Sequence, residues 1–174
     1  MQQELSVKNT PTDHDRTYLR RAIQLARQAQ QRGNLPIGAL IVLDGTIVAQ
    51  GQNAAWHPVR APARHAEMEA LHALPPDLLP RAGDMTLYTT LEPCLMCLGA
   101  ILAHHIGRVV FGAHDPRGGA LFLSGHLPPA FDRAFRATTW LGPALPDECD
   151  PLDAQVTAII ATYKRTPPPK PPTT

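Results

Sequence analysis

Little in this chain is extreme, and its scarcities narrow its class. It holds only three cysteines in 174 residues, too few for a fully paired disulfide framework, so a reducing cytoplasm is the expected compartment. Acidic and basic side chains nearly cancel, leaving a net charge of +1, which excludes a strong global field toward nucleic acid or membrane. Aromatic residues are sparse at 5%. No apolar run reaches the roughly 18 residues that a membrane span needs. The opening Met1-Gln2-Gln3-Glu4-Leu5 lacks the basic and apolar regions of a secretory leader. What remains is an ordinary soluble composition, long enough for one self-sufficient core.

Along the chain, residues 1–13 are polar and read as a flexible leader. Asp13 or Asp15 is placed to cap a helix running to about residue 32, with Leu19, Ala22, Ile23 and Ala26 on its apolar face. Residues 37–43 read as a buried strand, and Asp44-Gly45 as a hairpin turn leading into a second one. A proline-marked loop at 51–63 precedes a helix carrying His65 and Glu67. Further strands are expected at 85–90 and 108–112, with a helix from 94 to about 105 between them. Residues 118–146 give a poor signal, although 135–141 suit one short element. A closing helix is expected over 151–163, with Pro151 in its first turn. The segment 166–174 is proline-rich and reads as a disordered tail, leaving 14–165 as the domain. This element order argues a three-layer α/β/α sandwich around a mixed sheet.

The chemistry concentrates in His65-Ala66-Glu67 and Pro93-Cys94-Leu95-Met96-Cys97. One imidazole and two thiols suit a zinc ion, and three protein ligands leave a fourth position for water, the mark of catalytic zinc. Cys94 and Cys97 share a helix face. On a regular helix His65 and Glu67 would diverge, and only a glutamate folding back at the first turn brings both to one ion. A structural site with His57, His72, His104 or Cys149 as fourth ligand is an alternative. A redox C-x-x-C is another, but it would leave His65 and Glu67 without a role.

These motifs match the H-x-E and P-C-x-x-C signature of zinc-dependent base deaminases. The stretch from about 35 to 120 resembles the cytidine-deaminase-like superfamily, in the branch of guanine, cytosine and tRNA adenosine deaminases. Leu35-Pro36-Ile37-Gly38-Ala39, Gly51-Gln52-Asn53, Leu87-Tyr88-Thr89-Thr90-Leu91-Glu92 and Gly107-Arg108-Val109-Val110-Phe111-Gly112 carry the likeness. The resemblance implies a five-stranded sheet between helices, one zinc per subunit and a homodimer. It assigns His65, Cys94 and Cys97 as ligands, Glu67 as proton shuttle and Asn53 as a substrate contact. Ala66 and Trp56 complete the candidate substrate residues, Trp56 either as a stacking wall or as core.

The substrate is less legible. Members of this branch commonly carry Asp-Pro-Thr-Ala before the His-Ala-Glu, where this chain has Ala61-Pro62-Ala63-Arg64. The segment from Leu121 to Pro129 matches no subfamily pattern, and no aromatic follows Tyr163 to form the lid typical of guanine deaminases. Near-neutral charge favours a small nucleobase or nucleoside of guanine or cytosine type. The alternative is tRNA adenosine deamination, which Gly112-Ala113-His114-Asp115-Pro116-Arg117 resembles and which the arginines of the first helix suit. A catalytically inactive zinc-binding paralogue is a further alternative, against which Glu67 stands.

Overall fold

The computed structural model describes residues 10–165; positions 1–9 of the expected leader and the proline-rich 166–174 lie outside the described residues. The first helix, α1, spans Asp13–Gln31. Its cap is Thr12 rather than either aspartate: the Asp15 amide donates to the Thr12 hydroxyl and the Thr12 amide to the Asp15 carboxylate, a closed capping box. Positions 10–13 of the expected leader therefore belong to the folded chain. Strands β1 (Gly38–Leu43) and β2 (Thr46–Gln52) form the hairpin, with Asp44 and Gly45 both at positive φ in its turn. Helix α2 (Ala66–His72), a 3-10 stretch (Pro76–Asp84), β3 (Thr86–Leu91), α3 (Leu95–Ala103) and β4 (Arg108–Ala113) follow.

The segment that read poorly holds a 3-10 turn at Leu121–Leu123, helix α4 (Pro129–Ala137) and strand β5 (Thr139–Leu141). It eluded pattern reading because its elements are short and proline-broken. The closing helix α5 starts earlier than expected, at Pro146, so Pro151 lies inside it rather than in its first turn.

The five strands run in the order β2-β1-β3-β4-β5. The pairs β1–β2 and β1–β3 are antiparallel, whereas β3–β4 and β4–β5 are parallel. Alternation along β1 separates two cores: Leu40 and Val42 pack with α1 and α5, while Ala39, Ile41 and Leu43 pack with α2 and α3. The expected three-layer sandwich with a mixed sheet is thus present. Each fully buried leucine or isoleucine in these layers contributes about 1.5–3 kcal/mol through removal from water.

Two local devices set where the chemistry falls. At Gly51 any side chain would overlap the Ala66 carbonyl and the Ala70 amide, so the bare backbone of β2 lets α2 lie directly on it. On the opposite face, Asp15 is buried and accepts two bonds from the Arg108 guanidinium, at 2.7 and 2.8 Å, and one from the Tyr88 hydroxyl at 2.8 Å. Burial pushes the Asp15 carboxyl up, but the bonds from Arg108, Thr12 and Tyr88 together overcome it and hold it well below the usual carboxylate range.

Candidate active site

Both motif helices begin immediately after a candidate ligand residue. His65 is the N-cap of α2 and Cys94 the N-cap of α3, each with extended backbone rather than helical dihedrals. This resolves the difficulty that residues two apart diverge on a helix, because His65 stands outside the helix that carries Glu67. Because β1 pairs antiparallel with both β2 and β3, those two strands run the same way, and the helices that follow them start from the same end of the sheet.

The His65 Nδ1 atom lies 3.5 Å from Cys94 Sγ and 3.6 Å from Cys97 Sγ. All three ligand atoms fall within 4.8 Å of one another. A tetrahedral zinc with Zn–N near 2.05 Å and Zn–S near 2.3 Å separates nitrogen from sulfur by about 3.6 Å. The two nitrogen–sulfur separations fit that ion. His65 and Cys94 are half-buried and Cys97 is fully buried, so one side of the cluster opens outward.

The electrostatics are those of a site poised for a cation. Cys94 is lowered to about 4, first by the hydrogen bond that the Cys97 thiol gives it, against burial, and then by His65. Cys97 is raised, first by that same bond and then by burial, so the pair shares one proton. His65 is raised by its contact with Cys94. His65, Cys94 and Cys97 could hold a divalent ion, which would supply a larger positive charge in place of that shared proton.

Glu67 is buried, and burial pushes its carboxyl upward. The Thr89 hydroxyl donates to its Oε1 at 3.0 Å, while Oε2 lies 3.4 Å from Cys97 Sγ. Thr89 escaped the sequence reading, since a threonine in a strand carries no signal of what its hydroxyl meets. Asn53, just after β2, is fully buried; its Oδ1 accepts from the Ala55 amide at 3.2 Å, and its Nδ2 is a buried donor with no partner. Ala66 is fully buried in the first turn of α2. Trp56 is half-buried, with its amide bound to Asn34 Oδ1 at 2.9 Å.

Glu92 is a second residue that sequence reasoning missed. Its carboxylate sits 2.9 Å from His114 Nδ1 and accepts from the Leu121 amide at 3.1 Å, while the Ala120 amide donates to the Pro93 carbonyl at 3.0 Å. The segment from His114 to Leu121 is thereby strapped against the turn that bears Cys94. His57, His72, His104 and Cys149 do not join the metal cluster found among the described residues. Cys149 packs against Gly112 and is raised to about 12 by burial, an inert thiol rather than a fourth ligand.

Residues 12–113 match the family described as the cytidine and deoxycytidylate deaminase zinc-binding region. The chain is 45% identical over 109 residues to a tRNA-specific adenosine deaminase of Bacillus subtilis, spanning 60% of this chain and 65% of that protein. It is 42% identical over 113 residues to a tRNA(Ile)-lysidine synthase of Deinococcus radiodurans, spanning 64% of this chain but only 19% of that protein. A solved structure from a study of A-to-I editing by tRNA:A34 deaminases superposes with a TM-score of 0.60 at 31% identity, covering 74% of this chain and 99% of that one.

Proposed function

The chain belongs to the cytidine and deoxycytidylate deaminase zinc-binding family, and from that premise we propose that it hydrolytically deaminates adenosine in tRNA to inosine. The observation that carries the chemistry is the buried Glu67 carboxyl, whose Oε2 lies 3.4 Å from the Cys97 thiol of the three-residue cluster. The substrate reading is supported by bacterial relatives of 41–45% identity that are named tRNA-specific adenosine deaminase. That evidence outweighs the near-neutral charge, which favours a small base, and the ranking drawn from charge is reversed.

In this reading His65, Cys94 and Cys97 hold the zinc. A bound zinc supplies a Lewis acid that makes water at the open position nucleophilic near neutral pH. Thr89 fixes Glu67 Oε1, so Oε2 faces the reacting atoms and takes a proton from the attacking water. The water oxygen bonds to the ring carbon bearing the exocyclic amine, and Glu67 Oε2 delivers its proton to the adjacent ring nitrogen. Glu67 then moves the hydroxyl proton to the amine, the carbon–nitrogen bond breaks, and ammonia leaves a carbonyl behind. Such proton transfer contributes roughly 10²–10⁴-fold. Asn53 Nδ2, lacking a partner in the protein, donates to an acceptor on the base, with Ala66 and Trp56 lining its seat. We further assign the enzyme to the cytoplasm as a homodimer; Leu95 and Phe122, 62% and 76% exposed, give a second copy apolar surface to cover. Among the described residues no helix is long and apolar enough to cross a membrane.

The deciding assay offers the zinc-loaded protein a tRNA anticodon stem-loop, adenosine, guanine and cytosine, and follows ammonia and inosine. Turnover of the stem-loop is expected, with Glu67→Gln keeping zinc and fold but losing at least 10²-fold in rate, and Cys94→Ala losing zinc. Turnover of a free base beside an inert stem-loop would return the small-substrate reading.

A further inference from the structure

Beside the candidate active site lies a separate cavity of about 410 Å³, lined by Arg32, Asn34, Gln52, His57 and Arg64 among others. Its volume is that of a small-ligand site. No carboxylate lines it among the described residues. A second cavity of about 540 Å³, between α1 and α5, sets Asp147 and Glu148 beside Arg27, so its charges offset one another. Of the two, the first keeps the greater positive excess: Glu69 pairs with Arg64 from outside the lining, and no carboxylate pairs with Arg32 among the described residues.

Its walls are built rather than incidental. Asn34 is buried, and its Oδ1 accepts from the amides of Trp56 and His57, both at 2.9 Å, while its Nδ2 donates to the His57 carbonyl at 3.3 Å. That anchors the loop carrying His57 to the end of α1, where Arg32 stands. The Arg64 guanidinium is oriented by Glu69, through Nε at 3.0 Å and Nη2 at 2.7 Å, and those two bonds leave Nη1 to donate elsewhere. Arg32 forms no ion pair among the described residues. The cavity also adjoins the chemistry along the chain. Arg64 immediately precedes His65, their Cα atoms about 3.8 Å apart, and Gln52 and Ala54 flank Asn53.

We infer that this cavity is a phosphate subsite, formed by Arg32 and Arg64 with His57, that seats the phosphate next to the base being deaminated. The inference rests on the deaminase reading of the adjoining site. Arg64 stands where its branch commonly has the alanine of Asp-Pro-Thr-Ala, and Ala61 where it has the aspartate, so the departure removes an acid and adds a guanidinium. A guanidinium fork matches phosphate oxygens. A local pair of arginines also lets a chain of net charge +1 hold a polyanion without a basic face. The phosphate is either a backbone phosphodiester of RNA or the terminal phosphate of a free nucleotide.

Binding to the zinc-loaded Glu67→Gln protein separates these sources, because that variant binds without turnover. Anticodon stem-loop, AMP and adenosine are titrated against it, with and without Arg32→Ala/Arg64→Ala. A roughly tenfold or greater weakening for the stem-loop, with a salt slope shallower by about 0.7 for each phosphate no longer neutralised, identifies the backbone phosphate. The same weakening for AMP but not adenosine identifies the terminal one. Unchanged affinity in both arms overturns the subsite. Glu69→Gln frees Arg64 from its ion pair and is expected to bind at least as tightly as its parent. Weakening as large as that of Arg64→Ala would instead show that Arg64 acts only by bracing α2, and would overturn the assignment. Wild-type turnover is read separately. An inert stem-loop with arginine-dependent AMP binding sinks the tRNA reading and keeps the subsite, whereas turnover with a KM indifferent to both arginines does the reverse.

Discussion

Replacing Thr89 with valine isolates one atom of the proposed chemistry. The shape of the side chain is kept, and the hydroxyl that donates to Glu67 Oε1 at 3.0 Å is lost. Both residues are buried, Thr89 fully, so water cannot replace the missing donor. A hydrogen bond to a charged group contributes about 1.5–3 kcal/mol, and each 1.36 kcal/mol is tenfold in rate. Thr89→Val is therefore expected to lower kcat roughly ten- to 150-fold while zinc content stays at one per chain. Stopped assays of inosine formation at saturating substrate, paired with metal analysis, measure this. The mechanism demands one thing more: in a Glu67→Gln background Thr89→Val should cost almost nothing further, since the two act as a unit. Additive losses, or an unchanged kcat in the zinc-loaded single variant, would refute the view that Thr89 aims the carboxylate.

Two other predictions concern the frame that carries the site. Arg108→Met leaves the Asp15 carboxylate buried with its bidentate partner gone, at a cost of about 3–5 kcal/mol in denaturant unfolding at pH 7. Because Arg108 holds Asp15 below its unfolded value near 3.9, the wild type's advantage is complete above that pH and shrinks as pH falls through the range beneath it. A stability gap independent of pH between 7 and 3 would contradict this account. Gly51→Val forces a side chain into the Ala66 carbonyl, so it should displace α2 and lower zinc affinity together with melting temperature; a stable variant with unchanged zinc binding would show that the close approach is dispensable.

Much of the fold was written in local pattern. The continuous apolar run of 38–43, the Asp44-Gly45 turn and the apolar stripe of α1 each declare their element, the strand because both its faces are buried and the helix because one is. The candidate metal cluster was equally legible, since a histidine with two closely spaced cysteines offers a zinc-type donor set, and the structure brings the three together. Where local signals competed, reading the sequence placed the features wrongly. Thr12 took the cap that Asp13 and Asp15 also suit, freeing Asp15 to bind Arg108 and Tyr88, 93 and 73 residues away. Pro151 fell inside α5 because packing carried the helix back to Pro146.

Residue identity and spacing by themselves determined a chain of a zinc-binding family on a layered α/β frame, with His65, Cys94 and Cys97 as candidate ligands. Only the tertiary structure decided that His65 and Cys94 cap separate helices, that Thr89 grips one oxygen of Glu67, and that Arg32 and Arg64 share a cavity beside Asn53. Ligand chemistry is a property of side-chain type, which sequence displays directly. Which oxygen of Glu67 the Thr89 hydroxyl meets, and which arginines come to share a cavity, follow from the crossing of strands and helices that no local pattern encodes.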